Sequence, residues 1–206
     1  MSMSTNQQPT AGAALRLTGA TTGTFSHSEA AAITGLTSDA LLIYQKRAML
    51  PARAFPRQEL GRGKRRQYRF DQVVILSAAR ALIDSGVPVR DAMELASFHS
   101  VATRIVGLLT PDDPGLSAAE LVKQIRDEPH PWVAVFRLPP GSKIAKNMAS
   151  LKISGDWAVM DILERDSQAE IREWMRRFRL VSVTLLDVAA LAVSILDGAV
   201  RVACRL

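Results

Sequence analysis

Cysteine is almost missing from this chain: Cys204 stands alone among 206 residues, so neither an intrachain disulfide nor a multi-cysteine metal site can be built from it. An isolated cysteine of this kind reads as buried and inert. Histidine is scarce as well. His27, His99 and His130 are scattered without metal-ligand spacing and read as surface or helix residues, so no metal and no cofactor is expected. Long apolar runs are absent. The most apolar stretch, residues 180–200, is cut by Asp187 and Asp197, and the uncharged run between them falls far short of the roughly 20 residues a membrane span needs. Residues 1–24 have no apolar core of the signal-peptide kind. The expectation is a soluble, cytoplasmic protein with no membrane association. No nucleophile–base pair or carboxylate pair stands out. "PPGSKIAKN" (139–147) lacks the Gly-Lys-Ser/Thr ending of a phosphate-binding loop and reads as a turn. These absences speak against an enzyme, although an activity housed in 111–206 stays open as an alternative.

What is present is positive charge, and it is concentrated. The chain carries a net +6, yet residues 46–69 hold nine Lys/Arg and one acid, so that window alone is +8 and the remainder is −2. A generic basic protein spreads its charge; a window this dense points to an acidic partner such as nucleic acid. A solvated surface loop is the plain alternative.

The flanks of the window decide between these readings. Residues 1–24 are small and polar and read as a disordered tail. In "SHSEAAAITG" Ser26 or Ser28 caps a helix, Glu29 suits its first turn, and Gly35 stops it. In "LTSDALLIYQKRAML" Thr37 or Ser38 caps a second helix, with Leu41, Tyr44 and Ala48 on its apolar face and Pro51 beyond its end. Two short helices around a tight turn are a helix-turn-helix. Next comes the basic window, where "RRQYRF" alternates like a strand and Arg53–Phe55 is the expected partner strand, giving a hairpin with a basic tip, a wing. A helix capped by Asp71 and ended by Gly86 follows, then one running to about Leu109, then the turn-rich "TPDDPG" at 110–115.

The second half reads as α+β. A capping box, Ser117 to Glu120, opens one helix. Strands are expected at 132–138, 156–163 and 180–183, with a helix after a second capping box, Ser167 to Glu170. Thr184 with Asp187 caps another helix that Gly198 stops, and "VRVACRL" (200–206) reads as a last strand. Trp132, Trp157 and Trp174 all lie here and read as core or dimer contacts, with an aromatic ligand cage as the alternative. The expected fold class is therefore mixed: a mainly-α winged helix-turn-helix in 25–110, then a small α+β domain in 111–206 that dimerises or takes a partner or effector.

Residues 25–97 resemble the DNA-binding domain of the MerR family of bacterial regulators. The resemblance rests on "SEAAAITGLTSDAL" as first helix, turn and start of the recognition helix, on "LLIYQKRAMLP" as that helix and its closing turn, on "RGKRRQYRFDQV" as the wing and following acidic cap, and on "LIDSGVPVRDAMEL" as the turn between third and fourth helices. It implies a sequence-specific transcriptional regulator on double-stranded DNA, a homodimer, with RNA polymerase or a second regulator as further partners. The chain differs from the family at Leu42, where an arginine usually meets the DNA backbone, and at Ile43, where an aromatic usually meets DNA. It also lacks the family's sensor cysteines, so the resemblance carries the DNA-binding module without metal sensing. The candidate DNA-binding residues are Ser26, Ser28, Thr37, Ser38, Asp39, Ile43, Lys46 and Arg47 from the two helices, and Arg62, Lys64, Arg65, Arg66 and Tyr68 from the wing. Wing cations hold phosphate or enter the minor groove, and the recognition helix reads the major groove. Capping is the plain alternative for Ser38 and Asp39, and core packing under the wing for Tyr68. An excisionase-like architectural or recombination role is the alternative function.

Overall fold

The computed structural model describes residues 23–56, 66–110, 113, 115–127, 132–139, 151–162, 172–173, 175–176 and 182–203. Two helices open the described chain. Helix α1 (His27–Thr34) is capped by Ser26, whose Oγ accepts from the Glu29 amide while the Glu29 carboxylate accepts from the Ser26 amide. This reciprocal pair fixes the helix start. Gly35, at φ 68°, closes it in the left-handed region. Helix α2 (Ser38–Lys46) begins at the Thr37 cap, whose Oγ1 accepts from the Ala40 amide at 3.1 Å. It ends two residues before the sequence expectation. Ala48 takes φ 51°, its amide donates to the Gln45 carbonyl, and the Met49 amide donates to the Tyr44 carbonyl. That is a Schellman closure with alanine where glycine is usual.

The expected wing hairpin is paired differently. Strand β2 (Tyr68–Arg69) lies antiparallel to β1 (Thr24–Phe25), with Phe25 opposite Tyr68, and Arg53–Phe55 lies in a turn. Thr24 thus belongs to a strand and not to the tail. The 51–55 turn instead receives side chains. Arg53 Nη2 donates to the Glu94 carbonyl at 3.2 Å and to Ser97 Oγ at 2.8 Å, and its guanidinium stacks over Phe98.

Helix α3 (Phe70–Asp84) is central. Every residue from Gln72 to Ala79 is buried, which a one-faced amphipathic helix does not allow. Its start is two residues earlier than an Asp71 cap implies, with Arg69 at the cap position. Gln72 reaches back to accept from the Arg69 amide and also donates to the Ala54 carbonyl, while Asp71 forms a two-point ion pair with Arg69. Gly86, at φ 88°, follows its end. The single helix expected up to Leu109 is two, α4 (Val89–Ala96) and α5 (His99–Leu109). The break falls where Ser97 folds its hydroxyl onto the Glu94 carbonyl and Phe98 turns extended, at ψ 137°. The Arg53 guanidinium sits on those last carbonyls, a favourable place for a cation.

Helix α6 (Ala118–Asp127) carries the Ser117–Glu120 box. Then come β3 (Trp132–Arg137), β4 (Leu151–Ser154), β5 (Trp157–Ile162), β6 (Ser182–Asp187) and helix α7 (Val188–Ala203). The sheet is antiparallel throughout, in the order β4-β5-β3-β6. Strand β4 had no counterpart among the expected strands. Residues 172–173 and 175–176 are helical, as expected there, and the Ser167–Glu170 box lies outside the described residues. The C-terminal strand expected at 200–206 is replaced through Ala203 by helix. Helix α7 runs through Gly198 and buries Ala192, Ile195, Leu196, Ala199 and Val202, a 3.6-residue period. The Asp187 carboxylate caps it by accepting from the Ala190 amide. Among the described residues no helix is long and apolar enough to cross a membrane.

The two halves share one core. Helix α7 packs on α1, α3, α5 and α6, and Val133, Val135 and Val159 of the sheet join the same buried cluster as α1 and α3. Gly198 explains why α7 contains glycine: a Cβ there would stand 3.1 Å from the Ile33 Cα, so α7 and α1 meet backbone to backbone. At the other contact Ser154 donates to Asp91 of α4 at 2.9 Å, beside the Gly155 turn. We predict that Gly198→Val, which must push against the α1 backbone, lowers unfolding free energy by about 1–3 kcal/mol. Gly107→Ala in α5, with nothing within 4 Å of its added methyl, should raise it by about 0.5–1 kcal/mol. Urea titration of the two variants beside the parent protein reads both.

Candidate nucleic-acid interface

Helix α2 is anchored along one side only. Leu41 is fully buried and Tyr44 and Gln45 are half-buried, while Ser38, Asp39, Leu42, Ile43, Lys46 and Arg47 are exposed. Asp39, Leu42, Ile43 and Lys46 stand at i, i+3, i+4 and i+7, so they form one stripe down the outer face. The Thr37 hydroxyl and the Ser26 and Ser28 hydroxyls, 3.1 Å apart, are exposed at the two helix starts.

Beneath α2 lies a residue that the sequence pattern placed on the surface. His27 is 4% exposed. Its Nε2 is 2.9 Å from the Ser38 carbonyl and its Nδ1 is 3.4 Å from the Tyr68 hydroxyl. A carbonyl only accepts, so Nε2 carries the hydrogen, and Nδ1 accepts from Tyr68. One imidazole therefore joins the start of α1, the start of α2 and strand β2. No spacing rule in the sequence signals it; the polar group emerges only when Tyr68, 41 residues away, folds against it.

Two wing candidates lie inward. Tyr68 is fully buried, in keeping with core packing under the wing and not with base contact. Arg66 is 7% exposed: its Nη2 donates to the Pro56 carbonyl at 3.0 Å, and its guanidinium stands 5.6 Å from the Phe55 ring and 5.8 Å from that of Tyr68. Among the described residues its Nε has no hydrogen-bond partner. Burial lowers the Arg66 pKa and raises that of Tyr68, and each group partly offsets the shift of the other. The phenol thus stays protonated and able to donate. Arg66 thus fastens Pro56 to the start of β2. Arg62, Lys64 and Arg65 lie outside the described residues.

Residues 25–98 match the family model described as MerR HTH family regulatory protein. No curated protein matches the chain. The N-terminal part of this chain is thus a MerR-like helix-turn-helix domain, the DNA-binding module of transcriptional regulators.

The His27 arrangement makes a prediction. Tyr68→Phe keeps the buried ring and removes the donor to His27, so stability should fall by about 1 kcal/mol. Thermal unfolding measures the loss. No change in midpoint would show that the 3.4 Å contact contributes nothing.

Proposed function

We propose that this protein is a sequence-specific DNA-binding transcriptional regulator that lays α2 in the major groove and holds the flanking phosphates with cations of the basic window. The observation that carries this reading is the bare outer face of α2, exposed from Ser38 to Arg47 and followed directly by the +8 segment, within a domain matching a regulatory helix-turn-helix family. Ser26, Ser28 and Thr37 stand where hydroxyls reach phosphate; Lys46 and Arg47 take it at the far end of the helix. Arg62, Lys64 and Arg65 grip the neighbouring backbone or the minor groove. Asp39 accepts from a cytosine amino group.

A nine-residue helix covers only a few base pairs, so two copies on paired half-sites supply the needed length of site. The region after residue 110 provides the contact between copies, and RNA polymerase or a second regulator is a further partner. The protein works on cytoplasmic DNA and carries out no catalysis of its own.

Selection from a random-sequence duplex library, followed by binding measurements at several salt concentrations, tests the reading. A consensus of two half-sites and a steep loss of affinity with salt are expected. Absence of binding at low salt would sink it, and binding to every sequence alike would favour an architectural role. Lys46→Ala with Arg47→Ala should weaken binding to all sequences. It should also flatten the slope of log K on log salt by about 0.9 for each phosphate that is no longer neutralised. Arg66→Ala should behave differently and lower the unfolding midpoint, because it removes the clasp on Pro56.

A further inference from the structure

We infer that α2 selects its site by apolar contact with the methyl groups of thymine, through Leu42 and Ile43 acting together. Among the described residues only five large hydrophobic side chains are exposed, and two of them are these neighbours, 40% and 44% exposed, in the middle of the outer stripe of α2. The core side of the helix is filled by Leu41 and Tyr44, and among the described residues no other element packs on its outer face strongly enough to cover either residue. Isolated exposed hydrophobics need no explanation, but an adjacent pair on the face turned to a partner marks what that partner offers.

In the major groove the offer is narrow. Guanine, adenine and cytosine present donors and acceptors, and an apolar side chain against them leaves those groups unpaired. Thymine alone in unmodified DNA presents a methyl group at that edge. The charges on the stripe agree. Asp39, one turn before the pair, repels phosphate and can reach only a base-edge donor; Lys46, one turn after it, reaches phosphate. The stripe therefore enters the groove acid first, with the apolar pair over the bases. A protein partner with an apolar groove is disfavoured by the +8 segment that begins at Lys46 on this helix and continues in the sequence after it, and by the place of the pair on the helix a helix-turn-helix gives to DNA. The inference rests on the DNA-binding reading and gives the chemistry by which it discriminates.

The test uses the consensus duplex obtained from the random library and the full-length chain. Each thymine is replaced in turn by deoxyuridine, which removes one methyl and leaves every hydrogen-bonding group in place. At one or two positions per half-site affinity should fall about fourfold, the transfer free energy of one buried methyl-sized group. At those positions Leu42→Ala or Ile43→Ala should bind thymine and uracil equally. Both side chains are exposed, so an unchanged circular dichroism spectrum and melting midpoint would show the variants folded. Equal affinity of the parent protein for every uracil duplex overturns the inference and leaves DNA binding standing. Discrimination that persists in both alanine variants overturns it too, by assigning the methyl contact to another residue. Failure of the library to yield any bound duplex removes the DNA-binding reading itself, and this inference with it.

Discussion

The His27 imidazole, closed off from water between the Ser38 carbonyl and the Tyr68 hydroxyl, is where the two helices and strand β2 are joined. Helix α2 needs such a tie. Nine residues of helix are too few to persist alone in water. A helix that must leave its outer face bare can be held only from beneath. Leu41 supplies fully buried apolar contact, the Thr37 cap fixes the first turn, and His27 fixes where that first turn lies relative to α1. The ring is buried in a mostly apolar setting, so its two hydrogen bonds also specify an arrangement: a shift of α2 by one residue would leave a nitrogen unpaired, at about 1–3 kcal/mol.

That tie is itself backed by the C-terminal half. Helix α1 is short and rich in alanine, which gives it little side-chain volume to bury. Helix α7 compensates by approaching until Gly198 faces the Ile33 backbone, and the small residues Ala192 and Ala199 continue the same buried row. The Ser154–Asp91 hydrogen bond places the β4–β5 turn against α4 in the same manner. The continuous core means that the helix-turn-helix does not supply its own back wall. The sheet and α7 are part of what keeps α2 in place.

Local signals were legible wherever a few neighbouring residues decide the outcome. The Ser26 and Thr37 caps, Gly35 and the Ser117–Glu120 box each act over three or four positions, and each sits where its chemistry requires; Thr184, expected to cap the last helix, lies inside β6, and Asp187 alone caps it. Longer-range choices were hidden. Strand β2 could pair with 53–55 or with 24–25, and alternation alone does not choose; the buried Phe25–Tyr68 pair does. The break at Ser97 depends on Arg53, more than 40 residues away. Gly198 and the valines after it suggest a stop and a strand, because glycine and β-branched residues are weak helix formers. The helical period of Ile195, Ala199 and Val202 outweighs that propensity once α1 offers a surface to bury them. In the candidate interface the outer face of α2 followed from helical spacing, whereas His27 and Arg66 did not, since a polar side chain's burial is set by partners distant in the sequence.

The basic window shows why charge density is a poor count of phosphate contacts. Nine cations fall in 46–69, yet three of them already serve the fold. Arg53 sits on the end of α4, Arg66 clasps Pro56, and Arg69 pairs with Asp71 across the start of α3. Electrostatic attraction from all nine still draws an anionic partner, because Coulombic steering acts over the Debye length of about 8 Å and does not require direct contact. Counterion release does require it, and these three are already engaged in the fold. A surface that attracts broadly and touches at few points discriminates poorly on its own. On the function proposed above, the burden of choosing a site then passes to the outer stripe of α2, whose centre is apolar and whose charges lie only at its ends.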